Sequence, residues 1–166
     1  MGAHILAPEL HYINGKWYIH FAAGRAEDKW AIRPYVLECA AANPIEGPWV
    51  ERGQLRPLRS SFSLDATSFE HNGVRFTAWA EYAGDDSNIY LARQGGEPWV
   101  YVGEPTLIST PTHEWEVRGY RVNEGPSVVV RNGRVFMTFS ARYVNPAGQC
   151  FRYVKISKNK YLVKWC

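Results

Sequence analysis

LHYINGKWYIHFAA, residues 10–23, is an alternating run of apolar and polar residues broken by Asn14-Gly15. An Asn-Gly pair between such runs is the strongest short signal for a β-hairpin, because both central residues of a type I′ turn need positive φ. The same grammar returns in TSFEHNGVRFTAWAEY (67–82) and SVVVRNGRVFMTFSA (127–141). The pairs Asn14-Gly15, Asn72-Gly73 and Asn132-Gly133 are spaced 58 and 60 residues apart. Near-equal spacing marks a repeated supersecondary unit rather than unrelated turns.

The rest of the unit repeats as well. A polar loop follows the hairpin (Gly24–Lys29; Gly84–Ser87), then an alternating strand, AIRPYVLECA (31–40) or NIYLARQ (88–94). A Pro-Trp turn comes next, Gly47-Pro48-Trp49 or Glu97-Pro98-Trp99, and then a short strand. The alanines of residues 31–42 admit a short helix, but the alternation in PYVLEC and the flanking Pro34 and Pro44 predict a strand. About four strands per repeat is the pattern of a β-propeller blade. Propellers close with about 4–8 blades, and 166 residues hold fewer than three full repeats. The expected fold is therefore all-β, an incomplete β-propeller of about three blades, with apolar faces exposed on the end blades.

Composition agrees with a packed β domain: 46% hydrophobic, 21% charged and 14% aromatic residues. The aromatics suit either a sheet interior or a surface that stacks on sugar rings. All 16 acidic residues lie at or before Glu124, and after it come eight Lys and Arg with no acid. A basic end can mean nucleic acid, but it carries no recognised motif and the preceding chain is net acidic. No nucleic-acid or membrane partner is expected: no stretch approaches the ~18 apolar residues of a membrane helix. MGAHILAPELHY shows no signal-peptide pattern. Cys39, Cys150 and Cys166 allow one disulfide at most and show no metal-ligand spacing, so no metal and no cofactor is expected.

One acidic motif precedes each Asn-Gly turn: Ala7-Pro8-Glu9, Leu64-Asp65-Ala66-Thr67 and Asn123-Glu124-Gly125-Pro126. Taken singly, Glu9 also reads as a rim charge, Asp65 as a turn cap and Asn-Glu-Gly-Pro as a plain turn. Taken together, they fall at matching places in the repeat. The strand entering a propeller blade is the innermost, so the three carboxyls are expected to converge near the axis. Such a pocket suits glycoside hydrolysis, where one protonated carboxyl serves the leaving oxygen and an ionised one activates water. A further carboxylate nearby would keep the acid protonated by like-charge repulsion.

Four stretches together resemble family 43 glycoside hydrolases: APELHYINGKWYIHFAAG (7–24), EDKWAIRPYVLECAAANPIEGPWVERGQL (27–55), SFSLDATSFEHNGVRFTAWAEY (61–82) and HEWEVRGYRVNEGPSVVVRNGRVFMTFSA (113–141). They are similar to the second, third and fourth blades of that family's five-bladed propeller. The subgroup they resemble is the α-L-arabinofuranosidases. The resemblance implies Glu124 as general acid, Asp65 as the carboxylate that orients it and tunes its pKa, and Glu9 as a substrate-side or supporting residue. It implies an arabinose- or xylose-containing plant polysaccharide or oligosaccharide as partner, an inverting mechanism and an extracellular location. A β-xylosidase or endo-arabinanase of the same family is an alternative.

The sequence departs from the family pattern in three places. The general base is usually an Asp followed by Pro in the first blade, and no Asp-Pro occurs in this chain; the matching region would lie before Met1. Leu6 stands where Trp is usual. After Ala141 the likeness fades, which divides the chain into a propeller part, 1–141, and a divergent basic tail, 142–166. The chain is therefore expected to be a truncated form of low activity. A non-catalytic carbohydrate-binding or assembly module is the alternative, with Trp30 and Trp79 as candidate sugar-stacking residues, although both also read as core.

Overall fold

The computed structural model describes residues 3–55, 61–117, 119–143, 150–157 and 160–164, with side chains described as far as Ala141. Twelve strands follow in chain order: β1 Ala3–Ile13, β2 Lys16–Gly24, β3 Arg33–Cys39, β4 Val50–Gln54, β5 Ser63–His71, β6 Val74–Ala83, β7 Asp86–Gln94, β8 Tyr101–Ser109, β9 Gly119–Arg131, β10 Arg134–Tyr143, β11 Cys150–Ser157 and β12 Lys160–Lys164. A 3-10 turn, Glu114–Glu116, precedes β9. Residues 33–39 are a strand, as the alternation predicts.

Each Asn-Gly pair closes a two-residue hairpin, with Ile13 opposite Lys16, His71 opposite Val74 and Arg131 opposite Arg134. Both residues of every pair have positive φ, near 50° at the Asn and 67–82° at the Gly. That is the type I′ geometry whose twist matches the strands it joins.

The strands form three antiparallel sheets in the order β1-β2-β3-β4, β5-β6-β7-β8 and β9-β10-β11-β12, the last two joined by one parallel bridge, Ser87 to Val122. The first strands of the sheets lie side by side: β5 touches both β1 and β9. These are three blades of a propeller, with β1, β5 and β9 innermost. Ala141, where the likeness was expected to fade, lies inside β10, and the backbones of β11 and β12 continue the third sheet in antiparallel register.

The second blade is covered on both sides. Toward the third blade, Ala78, Ala80 and Ile89 pack on Met137 and Phe139. Toward the first blade, Trp79, Tyr90 and Ala92 pack with Ala66 and Leu55, and Leu64 meets Ala22 and Ile32. Among the described residues the outer face of the first blade has no such cover, and Leu10 and Tyr12 there are 54% and 60% exposed.

A second repeat, invisible in the turn motifs, lies on the inner strands. Each carries a β-bulge in which two residues face one on the neighbouring strand: Ala7 and Pro8 against Phe21, Asp65 and Ala66 against Trp79, Gly125 and Pro126 against Phe139. The first residue of each bulge has positive φ: 45° at Ala7, 55° at Asp65 and 62° at Gly125. The aromatic opposite each bulge is buried, at 5%, 0% and 1% exposure. Trp79 is therefore a core residue in a repeated structural role, and not a sugar-stacking surface. Its indole N–H donates to Glu81 Oε2 at 2.8 Å within the core, and its ring stacks on Tyr90 and Tyr101.

Trp79→Ala is expected to lower stability by about 3–5 kcal/mol, and Trp30→Ala by less than about 0.5 kcal/mol. Urea-unfolding midpoints of the two variants measure the difference.

Candidate functional site

The site grows out of the bulges. An inserted residue bends its strand and re-aims the side chains beside it. At the second blade the residue that takes left-handed backbone is Asp65, one of the few types that tolerates it. At the third blade the same position is Gly125. A Cβ there would stand 3.5 Å from Ser140 Oγ and 3.9 Å from Asp65 Oδ2, so glycine is needed for its φ rather than for space.

The Gly125 N–H donates to Asp65 Oδ2 at 2.9 Å. This bond crosses from the third blade to the second and sets Glu124, the preceding residue, beside Asp65. The Glu124 segment is pinned from both sides. Ser140 Oγ on β10 donates to the Glu124 carbonyl at 3.2 Å, and Ser87 Oγ on β7 donates to the Asn123 carbonyl at 3.2 Å. Asn123, fully buried, donates from Nδ2 to Ser109 Oγ at 2.9 Å. Glu124 itself is half-buried.

A cavity of about 280 Å³ opens here, lined by Ala7, Pro8, Glu9, Asp65, Gly125, Pro126 and Ser127. It is walled by residues in or next to all three bulges. Burial pushes the Asp65 carboxyl up to about 6, reinforced by the negative charges of Glu124 and Glu9 and opposed by the Gly125 N–H. Glu9 behaves differently. Burial acts to raise its pKa, but hydrogen bonding by His11 and Thr67 and the charge of His11 outweigh burial, and the result is lowered. One cavity thus holds two carboxyls whose pKa values are driven apart, Asp65 upward and Glu9 downward.

The structure brings Glu9, Asp65 and Glu124 into one electrostatic cluster, as their charges act on Asp65 together. Their convergence does not come from equivalent positions, however. Counting back from the Asn-Gly turns, the matched positions are Ala7, Asp65 and Gly125, and Glu9 and Glu124 lie on opposite sides of that mark. Glu9 and Asp65 line the cavity, and Glu124 immediately precedes the Gly125 that lines it.

The two candidate tryptophans are not in the cavity wall. Trp79 is core. Trp30 is 61% exposed and stacks on His4 with ring centroids 4.8 Å apart, with Lys29 Nζ 5.7 Å from its ring centroid. Sequence reasoning also passed over His11, whose Nε2 lies 3.1 Å from Glu9 Oε2, and the buried His20. The two-residue period of a strand puts His11 on the face of Glu9, and that signal was available.

The model of glycosyl hydrolases family 43 matches residues 1–163. An extracellular exo-alpha-(1->5)-L-arabinofuranosidase of Streptomyces avermitilis is 56% identical over 144 residues, covering 85% of this chain and 30% of the relative. An enzyme of the same name from Streptomyces chartreusis is 49% identical over 144 residues, covering 85% of this chain and 44% of the relative. Among solved structures, an alpha-L-arabinofuranosidase of Lactobacillus brevis superposes with a TM-score of 0.85 at 33% identity, over 96% of this chain and 54% of that one. The chain spans less than half the length of these two curated relatives and about half of that solved chain.

Asp65 has a consequence for stability. Its folded-state pKa is raised above the unfolded value near 3.8 to about 6. Between those values the folded form holds the proton and the unfolded form has lost it. The contribution of Asp65 to stability is therefore fullest below about pH 4 and is lost as pH rises through about 6. Asp65→Asn is expected to flatten this slope and to stabilise the protein at pH 7.5 by on the order of 1 kcal/mol, partial exposure reducing the full effect. Urea midpoints at pH 4.5 and 7.5 measure it.

Proposed function

The chain belongs to glycosyl hydrolases family 43, and from that premise we propose that it carries the acid side of an α-L-arabinofuranosidase site acting on arabinan or arabinoxylan side chains. The observation that carries this reading is the Gly125 N–H to Asp65 bond, which sets Asp65 and the Glu124 segment side by side at a sugar-sized cavity. In the proposed reaction Glu124 gives its proton to the leaving glycosidic oxygen. Asp65, beside it, discourages early loss of that proton by charge repulsion and fixes the local geometry through Gly125. Glu9 stays ionised and accepts hydrogen bonds from sugar hydroxyls.

Inversion also needs an ionised carboxylate across the sugar, about 6.5–9.5 Å from the acid, to activate water. The family's Asp-Pro has no match in residues 1–166. Hydrolysis by these residues alone is therefore proposed to be slow, by about 10²–10⁴ relative to an enzyme with both partners. The two Streptomyces relatives are named extracellular enzymes, which supports an exported protein and an arabinose-containing polymer as substrate.

A second reading is a carbohydrate-binding module built on the propeller. An acid pair without a matched base can hold a sugar without cleaving it, and the exposed Trp30 ring on His4 offers a flat apolar plate beside the blade.

Release of arabinose from an aryl α-L-arabinofuranoside and from an arabino-oligosaccharide decides between them. Glu124→Gln is expected to cut release at least about 10²-fold, more on the oligosaccharide because its leaving group depends more on protonation. Turnover unaffected by Glu124→Gln would sink the assignment of the acid. Calorimetric binding of the oligosaccharide with no release would establish the second reading instead.

A further inference from the structure

Glu9 is braced in a way the proposed reaction does not by itself require. It faces the second blade from β1, and three histidine- or threonine-bearing positions surround it. His11, two residues on along the same face, places Nε2 3.1 Å from Glu9 Oε2. An ionised carboxylate only accepts, so that ring nitrogen carries the hydrogen. Thr67, on β5, acts on the same carboxylate from the neighbouring blade and helps to lower its pKa. His20 stands directly opposite Glu9 in the β1–β2 register, 1% exposed, with its ring centroid 4.9 Å from that of His11.

His20 is the unusual member. Neither ring nitrogen has a hydrogen-bond partner among the described residues. Burial, with lesser contributions from His11 and Arg75 and against the pull of Glu9, drives its pKa down to about 3. The ring is therefore uncharged at any pH at which the carboxylates work. A cationic side chain in its place would compete with His11 for Glu9. A larger or charged side chain would push His11 off its partner. The matched position of the second blade is Ala78, opposite Thr67, so the propeller repeat itself does not call for a ring here.

We propose that His11 is a positioning residue for Glu9, with His20 packed behind it as an uncharged support. The pair holds one carboxylate oxygen on the blade and leaves the other turned to Thr67 and the cavity, where it meets the hydroxyls of a bound pentose. This rests on the sugar-site reading above for its ligand, though the bracing itself does not. The groups acting on Glu9 are His11 and His20 from its own sheet and Thr67 from β5, Asp65 of β5 feels the Glu9 charge, and the Arg75 charge from β6 acts on His20 behind them.

Three measurements test it. In the unaltered chain, nitrogen-15 NMR of His11 is expected to report a hydrogen on Nε2; a neutral ring with its hydrogen on Nδ1 overturns the proposal. The Glu9 carboxyl, followed by carbon-13 NMR, is expected to titrate about 1 pH unit higher in His11→Phe and to return at least halfway in His11→Gln, which restores a donor. A midpoint that does not move in His11→Phe also overturns it, and should that variant fail to fold, the tautomer and the His11→Gln titration still decide. On an aryl arabinofuranoside, His11→Phe is expected to raise KM about tenfold while kcat changes less than about threefold; the reverse pattern would place His11 in the chemistry and refute a positioning role. The NMR arms need no turnover, so absence of hydrolysis would count against the proposed activity alone.

Discussion

The left-handed bulge on each inner strand is the constraint on which the site depends. A regular strand entering the blade would alternate its side chains between the two blade faces and send none toward the axis. One extra residue per strand breaks that alternation at the same height in all three blades. The extra residue must take positive φ, which restricts it to glycine or a small or aspartate-like side chain in favourable cases. The second blade spends this position on a carboxylate. The third spends it on a glycine whose N–H meets that carboxylate. The buried aromatics Phe21, Trp79 and Phe139 fill the sheet opposite the bends and keep them from collapsing.

From that bend follow the electrostatics. Two carboxyls from adjacent blades are drawn into one partly buried cluster, and a third approaches from the first blade. Burial and like charge both work against ionisation at Asp65, and only the Gly125 N–H works for it. Glu9, in the same cavity, has donors enough to remain ionised. The difference between them is one of hydrogen-bond supply rather than residue type. It is also a difference that lowers stability at neutral pH, a cost commonly found where a fold keeps charged groups ready for chemistry. Elsewhere the chain solves the same problem conservatively. Glu38, buried in the first blade, is held well down, to about 2, by Arg52, Lys16 and Tyr18 in spite of its burial.

The blades also show how a repeat can be exact in its backbone and free in its side chains. The position opposite the residue after the bulge is His20 in the first blade, Ala78 in the second and Thr138 in the third. Only the first puts a titratable ring there. The packing of the second blade needs small alanines at 78 and 80 to admit Met137 and Phe139.

The sequence by itself determined the hairpins, the blade period and the all-β class, because an Asn-Gly turn and strand alternation are local and each is written in consecutive residues. It also carried the acid positions, since Glu9, Asp65 and Glu124 each stand a few residues before a readable turn. The His20 partnership was within reach too, as hairpin pairing from Asn14-Gly15 leads directly to Glu9 opposite His20. Only the tertiary structure decided which carboxyls share a cavity, that Trp79 is core while Trp30 is exposed, and that Asp65 rather than Glu9 is pushed toward neutral pH. Those outcomes depend on which blade lies against which face and where each bulge falls. They are set by burial and by donors arriving from residues tens of positions away, and no local pattern records them.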